Sequence, residues 1–175
     1  MNELNNENEN ETPQNESLDF DLEDEYKPAP LIPDGTYSGA IVGASFDGIK
    51  LSFQVTLNET QTILTDGVTS ADGITIPYSV WFPKVGDDQV MIKSGTMSKK
   101  QWKINNAKEV GDKLGISLNT KTVIKESIEN GEWVGIPVHA KIAIKDDAFG
   151  IKNEITQLST SVKETEAKRD ETTES

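Results

Sequence analysis

The stretch GIPVHAKIAIKDDAFGIKNEITQ, residues 135–157, decides the fold because its apolar and polar side chains alternate. Successive side chains of a strand point to opposite faces, so this period of two predicts a half-buried strand. One face carries Ile136, Val138, Ala140, Ile142 and Ile144, and the other carries His139, Lys141, Ala143 and Lys145. The turn formers Asp146, Asp147 and Gly150 then predict a hairpin, with Phe149 near its tip and Lys152 on the returning strand.

The polar face of this hairpin has two interpretations. Lysine is common on exposed strand faces, where it serves only solvation and discourages edge pairing. Alternatively, His139, Lys141 and Lys145 lie in line and form a cationic surface that follows a polyanion.

Upstream of the hairpin, the same alternation predicts three further strands. Residues 36–46 and 50–57 are joined by the turn dipeptide Asp47-Gly48. In the run 74–82, Pro77 predicts an edge strand or a bulge, because proline cannot donate to a ladder. Trp81 falls on the outer face of that run.

Between residues 97 and 115 the apolar period becomes helical. Thr96 or Ser98 can cap the start of this helix, and Gly115 can end it. Trp102 falls on the apolar side of the pattern, together with Ala107, Val110 and Leu114. Residues 120–128 are compatible with a strand or a short helix.

These elements predict a mainly β protein. Five or six strands with frequent turn dipeptides and one packed helix are typical of a small antiparallel barrel or sandwich. We expect a single domain over residues 31–160, between a disordered acidic tail (1–30) and a disordered polar tail (161–175).

The charge is unevenly distributed along the chain. The net charge is −13, of which residues 1–30 supply −9 through ten acids and one lysine. Residues 31–160 are almost balanced, with thirteen lysines and fifteen acids. Within the acidic tail, Phe20, Leu22 and Tyr26 are interleaved with acids, a pattern that fits either a short partner-binding segment or a plain linker.

Several classes of protein are disfavoured by composition. There is no cysteine and one histidine, which excludes thiol and multi-histidine metal sites. The pairs Asp87-Asp88 and Asp146-Asp147 could hold a divalent ion, although turn formation also explains them.

Without a nucleophile motif or a phosphate-binding glycine loop, we expect no enzyme and no cofactor. No apolar run is long enough for a membrane span and no signal peptide is visible, so an intracellular protein is expected.

The residues fit nucleic-acid binding better. Unspecific single-strand binders combine a cationic path for the backbone with aromatic rings on which bases stack. The candidate residues are Trp81, Lys84, Lys99, Lys100, Trp102, Lys103, His139, Lys141, Lys145, Phe149 and Lys152, and Lys50 and Lys93 could accompany them. Arg169 is the only arginine, so bidentate reading of bases is not expected.

The order of these features resembles a family of small tailed-phage proteins that look like single-stranded-DNA-binding proteins with an OB fold. The resemblance covers about residues 18–157 and rests on LDFDLEDEY, PDGTY, KLSFQV, YSVWF and the final GIKN. It implies an OB-like barrel, a role in phage DNA replication or recombination, and a location in the cytoplasm of an infected bacterium. Replication or recombination proteins are then possible partners of the acidic segment 18–26, and self-association is left open.

Two other classes of protein remain compatible with the sequence. A virion or assembly component of a phage can also be a β-rich domain with polar tails. In a carbohydrate- or peptide-binding β-module, Trp81 and Trp133 would stack on the ligand.

Overall fold

The computed structural model describes residues 17–160 and confirms a mainly β protein. Its five strands form one antiparallel sheet, and three helices and one short 3-10 turn complete the described chain. The strands are β1 (Gly35–Phe46), β2 (Lys50–Leu57), β3 (Thr75–Trp81), β4 (Pro137–Asp147) and β5 (Gly150–Ser159). The helices are α1 (Leu22–Glu25), α2 (Lys99–Leu114) and α3 (Lys121–Glu129), and the 3-10 turn is Asp87–Gln89. The predicted disorder of residues 1–16 and 161–175 lies outside the described residues.

The strand order in the sheet is β3-β2-β1-β4-β5. Both predicted hairpins are confirmed, since β1 pairs with β2 and β4 pairs with β5, each in antiparallel register. In the turn between β1 and β2, the Asp47 carboxylate accepts hydrogen bonds from the backbone N–H groups of Ile49 and Lys50, at 2.8 and 2.7 Å. β3 lies at one edge of the sheet, which confirms the prediction made from Pro77.

The sheet is strongly curved, for two local reasons. The register shifts between Ile41 and Gly43 and again between Lys141 and Ile142, and such bulges bend a strand and increase its twist. Gly39 sits where β1 passes close to β2, and a Cβ on it would lie 2.6 Å from the carbonyl oxygen of Thr56. Only glycine permits that approach.

The curvature brings the two edge strands together. β3 and β5 contact each other, and α2 contacts both of them. No strand ladder joins β3 to β5 among residues 17–160, so the sheet is open along this seam. The described residues therefore form an open sheet, and its closure into a barrel remains a prediction.

Helix α2 begins and ends as the sequence indicates. The Ser98 hydroxyl accepts the N–H of Gln101 at 3.1 Å, and Gly115 ends the helix with φ of 65°. The buried stripe differs from the prediction. It contains Lys103, Ala107, Val110, Gly111 and Leu114, whereas Trp102 is half-exposed. Lys103 is buried because its ammonium pairs with the buried carboxylate of Asp87.

A second packed helix occupies the region in which the sequence left strand and helix open. Helix α3 is capped by Thr120, whose hydroxyl accepts the N–H of Val123 at 3.1 Å. It buries Ile124 and contacts β1. The prediction of one packed helix was therefore wrong, because nine residues make too few helical turns for periodicity to distinguish a helix from a strand.

The core lies between the concave face of the sheet and the two helices. Its largest fully buried side chains come from all parts of the fold and include Phe53, Ile32, Ile41, Leu51, Leu57, Ile124, Ile142 and Leu158. Trp133 is also buried, with its ring centroid 5.5 Å from that of Phe53. It is thus core and offers no surface for a sugar ring or a base.

Candidate functional site

Trp81 is the most prominent aromatic side chain of the outer sheet face. It ends β3 between the buried residues Val80 and Phe82, so strand alternation turns its indole outward, where 49% of the residue is exposed. Lys50 is its direct partner on β2, and the Lys50 ammonium lies 5.2 Å from the indole centroid. This cation–π contact restrains the indole and leaves its other surface available.

Lys145 and Lys152 face each other across the final hairpin. They are direct partners in the β4–β5 register, so both side chains project from the same face of the sheet. Like charges on directly opposite residues repel, and an anion bound near them relieves that repulsion. Lys152 also makes a 3.1 Å ion pair with Asp147. The backbone N–H of Phe149, and secondarily Lys152, lower the pKa of Asp147 below its ordinary value.

The open seam between β3 and β5 forms a cleft of about 510 Å³, which we call the seam cleft. It brings together Trp81 from β3 and Lys145 and Lys152 from the β4–β5 hairpin, three of the residues predicted from sequence. The remaining wall is mixed in character and consists of Pro77, Tyr78, Ser79, Asn153, Glu154, Ile155 and Thr156. The seam cleft therefore combines an aromatic face, two cations and the polar backbone edges of two strands.

Two further side chains in the wall of the seam cleft, Tyr78 and Glu154, are titratable. Burial, and secondarily the charge of Glu109 on α2, raise the pKa of Tyr78 above its ordinary value. Glu154 on β5 brings a carboxylate into the same wall as the lysines. An anionic ligand would meet repulsion from this one group.

The other predicted residues of the last hairpin lie outside the seam cleft. His139 and Lys141 pair with Ser38 and Thr36 of β1, which places them further along the outer sheet face. Phe149 stands at the hairpin tip with 94% of the residue exposed, as the sequence predicted. His139, Lys141 and Phe149 therefore lie on the surface of the β4–β5 hairpin, outside the seam cleft.

The predicted lysine cluster of α2 is divided by the fold. Lys99 and Lys100 are exposed, but Lys103 is buried and its ammonium lies 2.7 Å from the Asp87 carboxylate. That carboxylate also accepts the backbone N–H of Lys84 at 3.0 Å. The Lys103 hydrogen bond is the main reason why the pKa of Asp87 is lowered. Lys103 thus fastens α2 to the 3-10 turn, while the side chain of Lys84 stays exposed.

Every residue of the acidic segment 18–26 is exposed to solvent. The Asp21 carboxylate caps the four-residue helix α1 by accepting the N–H groups of Glu23 and Asp24, at 3.0 and 3.2 Å. Phe20, Leu22 and Tyr26 all face solvent. These partner-binding candidates are therefore accessible.

Asn153 is a residue whose role the sequence did not reveal. Its side-chain amide accepts the N–H of Ile32 and donates to the Ile32 carbonyl, both at 2.8 Å. It thus acts as one rung of a strand ladder and holds the start of the domain against β5. Leu31 is fixed in addition by Thr65, whose backbone N–H donates to the Leu31 carbonyl at 2.9 Å. The only sequence signal was the place of Asn153 at the end of the GIKN motif, which does not indicate what its side chain contacts.

The acid pairs fit the turn interpretation. Asp87 is engaged by Lys103, and Asp147 accepts the N–H of Phe149 at 2.8 Å across the hairpin turn. Over residues 17–160, no group of three or more histidine or acidic side chains is placed to hold a metal ion.

Comparison with protein-family models found no match, and comparison with curated proteins likewise found none. No helix within residues 17–160 is long and apolar enough to cross a membrane.

Proposed function

We propose that this protein binds single-stranded DNA without sequence preference, through the seam cleft and the adjoining outer face of β2 and β3. Lys145 and Lys152 contact phosphates, and one base stacks on the free surface of the Trp81 indole. The protein acts as a binding module and not as an enzyme. The resemblance stated above adds phage DNA replication or recombination, in the cytoplasm of an infected bacterium, as the setting.

The observation that carries this proposal is the meeting of Trp81 with Lys145 and Lys152 in one cleft. A cationic groove next to an aromatic ring is what unspecific single-strand binding requires, and each stacked base contributes about 1–3 kcal/mol. The lone arginine in the sequence, Arg169, fits a surface that follows phosphates and does not read base edges.

The strand topology supports an OB-like barrel as the finer description of the fold. If the contacting edges β3 and β5 were joined, the sheet order β3-β2-β1-β4-β5 would close into a five-stranded barrel. OB folds are partly open five-stranded barrels that bind oligonucleotides on the face of strands 2 and 3 and on the loops after strands 1 and 4. The seam cleft lies between strand 3 and the hairpin formed by strands 4 and 5.

The test is a titration of the full chain with poly(dT), followed by tryptophan fluorescence at about 50 and about 200 mM salt. Trp81 should be quenched, and affinity should fall steeply with salt because binding releases counterions. Lys145→Glu with Lys152→Glu should weaken binding and lower the salt slope by about 1.4, the single-strand value for two phosphate contacts.

The matched control is Lys121→Glu with Lys125→Glu, which makes the same charge change on two exposed residues of α3. This control should retain most of the affinity. Equal losses in both double variants would show that net charge and not the seam cleft governs binding. No quenching at low salt would reject the proposal, and co-purification with phage particles would then favour a virion component.

A further inference from the structure

The start of α2 presents an exposed surface that combines apolar and cationic side chains. Its residues are brought together by the backbone: the Lys99 N–H donates to the Val90 carbonyl at 2.6 Å, and Met91 and Ser98 form an isolated bridge. Trp102 follows one turn later, its N–H bonded to the Ser98 carbonyl at 3.0 Å. We call this the α2-start surface, and it comprises Val90, Met91, Lys99, Lys100 and Trp102.

The apolar members of this surface are unusually open to water. Val90, Met91 and Trp102 expose 50, 54 and 47% of their surface, respectively. Trp102 is exposed because the neighbouring Lys103 occupies the buried face of α2, where it pairs with Asp87. Aromatic and methionine side chains grouped on a surface are characteristic of protein interfaces, and Lys99 and Lys100 add positive charge to this one.

A segment of complementary chemistry is present in the same chain. In residues 18–26 the apolar side chains Leu18, Phe20, Leu22 and Tyr26 are 69–87% exposed. They alternate with Asp19, Asp21, Glu23, Asp24 and Glu25, all exposed. Within residues 17–160, no other part of the chain covers these four apolar side chains, so they are accessible to a partner surface.

We propose that segment 18–26 of one copy docks on the α2-start surface of a second copy. Phe20 and Leu22 cover Val90, Met91 and Trp102, while the acids of the segment pair with Lys99 and Lys100. The two surfaces differ, so the contact is heterologous, and it builds a closed assembly if its rotation closes and an open chain if it does not. Self-association of this kind is independent of nucleic acid and adds assembly to the proposed binding function.

Sedimentation velocity of the full chain without DNA, over a hundredfold range of concentration, tests this proposal. The average mass should rise with concentration above that of the monomer. Trp102→Ala, and separately Phe20→Ala with Leu22→Ala, should each keep the chain monomeric over that range. Both changes lie on exposed positions and leave the core intact.

Charge exchange provides the decisive control. Lys99→Glu with Lys100→Glu should abolish association, and adding Asp19→Lys with Asp24→Lys to the same chain should restore it. Lys121→Glu with Lys125→Glu should associate as the parent does. A monomer at every concentration, or association unaffected by Trp102→Ala, would overturn the proposal, whatever the chain does with single-stranded DNA.

Discussion

At the residue scale, two pairs show how context assigns different roles to lysine. Lys50 lies over an exposed indole, whereas Lys103 is buried against Asp87. A cation over an exposed ring contributes about 0.5–1 kcal/mol and leaves the ring accessible. A buried ion pair stabilises only while both partners are present.

The indole of Trp81 should account for much of the affinity for single strands. Trp81→Ala should lower the affinity for a labelled oligo(dT) by roughly tenfold, since one stacked base is lost. Fluorescence anisotropy of the labelled oligonucleotide measures this without relying on the deleted tryptophan. Trp102→Ala, at low protein concentration, is the control because it removes a similarly exposed indole that does not line the seam cleft. Equal losses in the two variants would contradict stacking on Trp81.

The Asp87–Lys103 pair should matter for stability at neutral pH. Asp87→Asn leaves the Lys103 ammonium buried without its anion, and we expect the thermal midpoint to fall by roughly 10 °C. Asp112→Asn breaks the exposed Lys108–Asp112 pair and should cost at most about 1 kcal/mol. Differential scanning calorimetry compares the two variants.

This stabilisation should also depend on pH in a defined direction. The pKa of Asp87 is lowered in the folded chain, so its contribution is fully present above the ordinary value of about 3.9. It is lost as the pH falls through the lowered folded value, because the protonated acid no longer pairs with Lys103. The difference in thermal midpoint between the parent and Asp87→Asn should therefore be constant from pH 7 to about pH 4 and shrink as the pH falls further. No decrease below about pH 4 would show that the ion pair is not its source.

At the scale of the elements, the final hairpin lines the seam cleft and also anchors the chain that precedes β1. Its outer face supplies Lys145 and Lys152 to the seam cleft, and Asn153 holds Ile32 from the same strand β5. The segment that precedes β1 is therefore anchored next to the seam cleft. Local order in this segment and in the seam cleft should be coupled.

Removing the Asn153 amide tests that anchor. Asn153→Ala loses two hydrogen bonds to the buried residue Ile32 and should lower the free energy of unfolding by about 2 kcal/mol. Asn58→Ala, an exposed asparagine after β2, should change it by less than about 0.5 kcal/mol. Urea unfolding of both variants gives the comparison, and similar midpoints would argue against the anchor.

At the scale of the whole molecule, charge is separated between a strongly acidic beginning and a nearly balanced domain. Residues 1–30 carry −9, and the end of this stretch is tethered beside the cationic seam cleft by Leu31 and Ile32. A polyanion near a phosphate-binding surface repels DNA and competes with it for the same lysines.

Deleting residues 1–30 should therefore tighten binding to oligo(dT). The gain should be larger at low salt, because salt screens both the repulsion and the competition. A full-length variant in which the ten acids are replaced by their amides is the matched control, and it should reproduce the gain if charge is responsible. Unchanged affinity in both variants would exclude a role of the acidic tail in DNA binding.

The sequence by itself determined the local elements of this protein. Alternation over 135–157, the Asp47-Gly48 turn, Pro77 and the caps Ser98 and Gly115 act through neighbouring backbone, so their effect can be read along the chain. The outward position of Trp81 followed from the same alternation.

Only the tertiary structure decided which of these residues meet. The pairing of Lys103 with Asp87, and with it the exposure of Trp102, depends on a loop packing against a helix. The seam cleft exists because two bulges and Gly39 curve the sheet until β3 approaches β5, which brings Trp81 to Lys145 and Lys152. Such contacts join residues distant in the chain, and no local pattern encodes the distance between them.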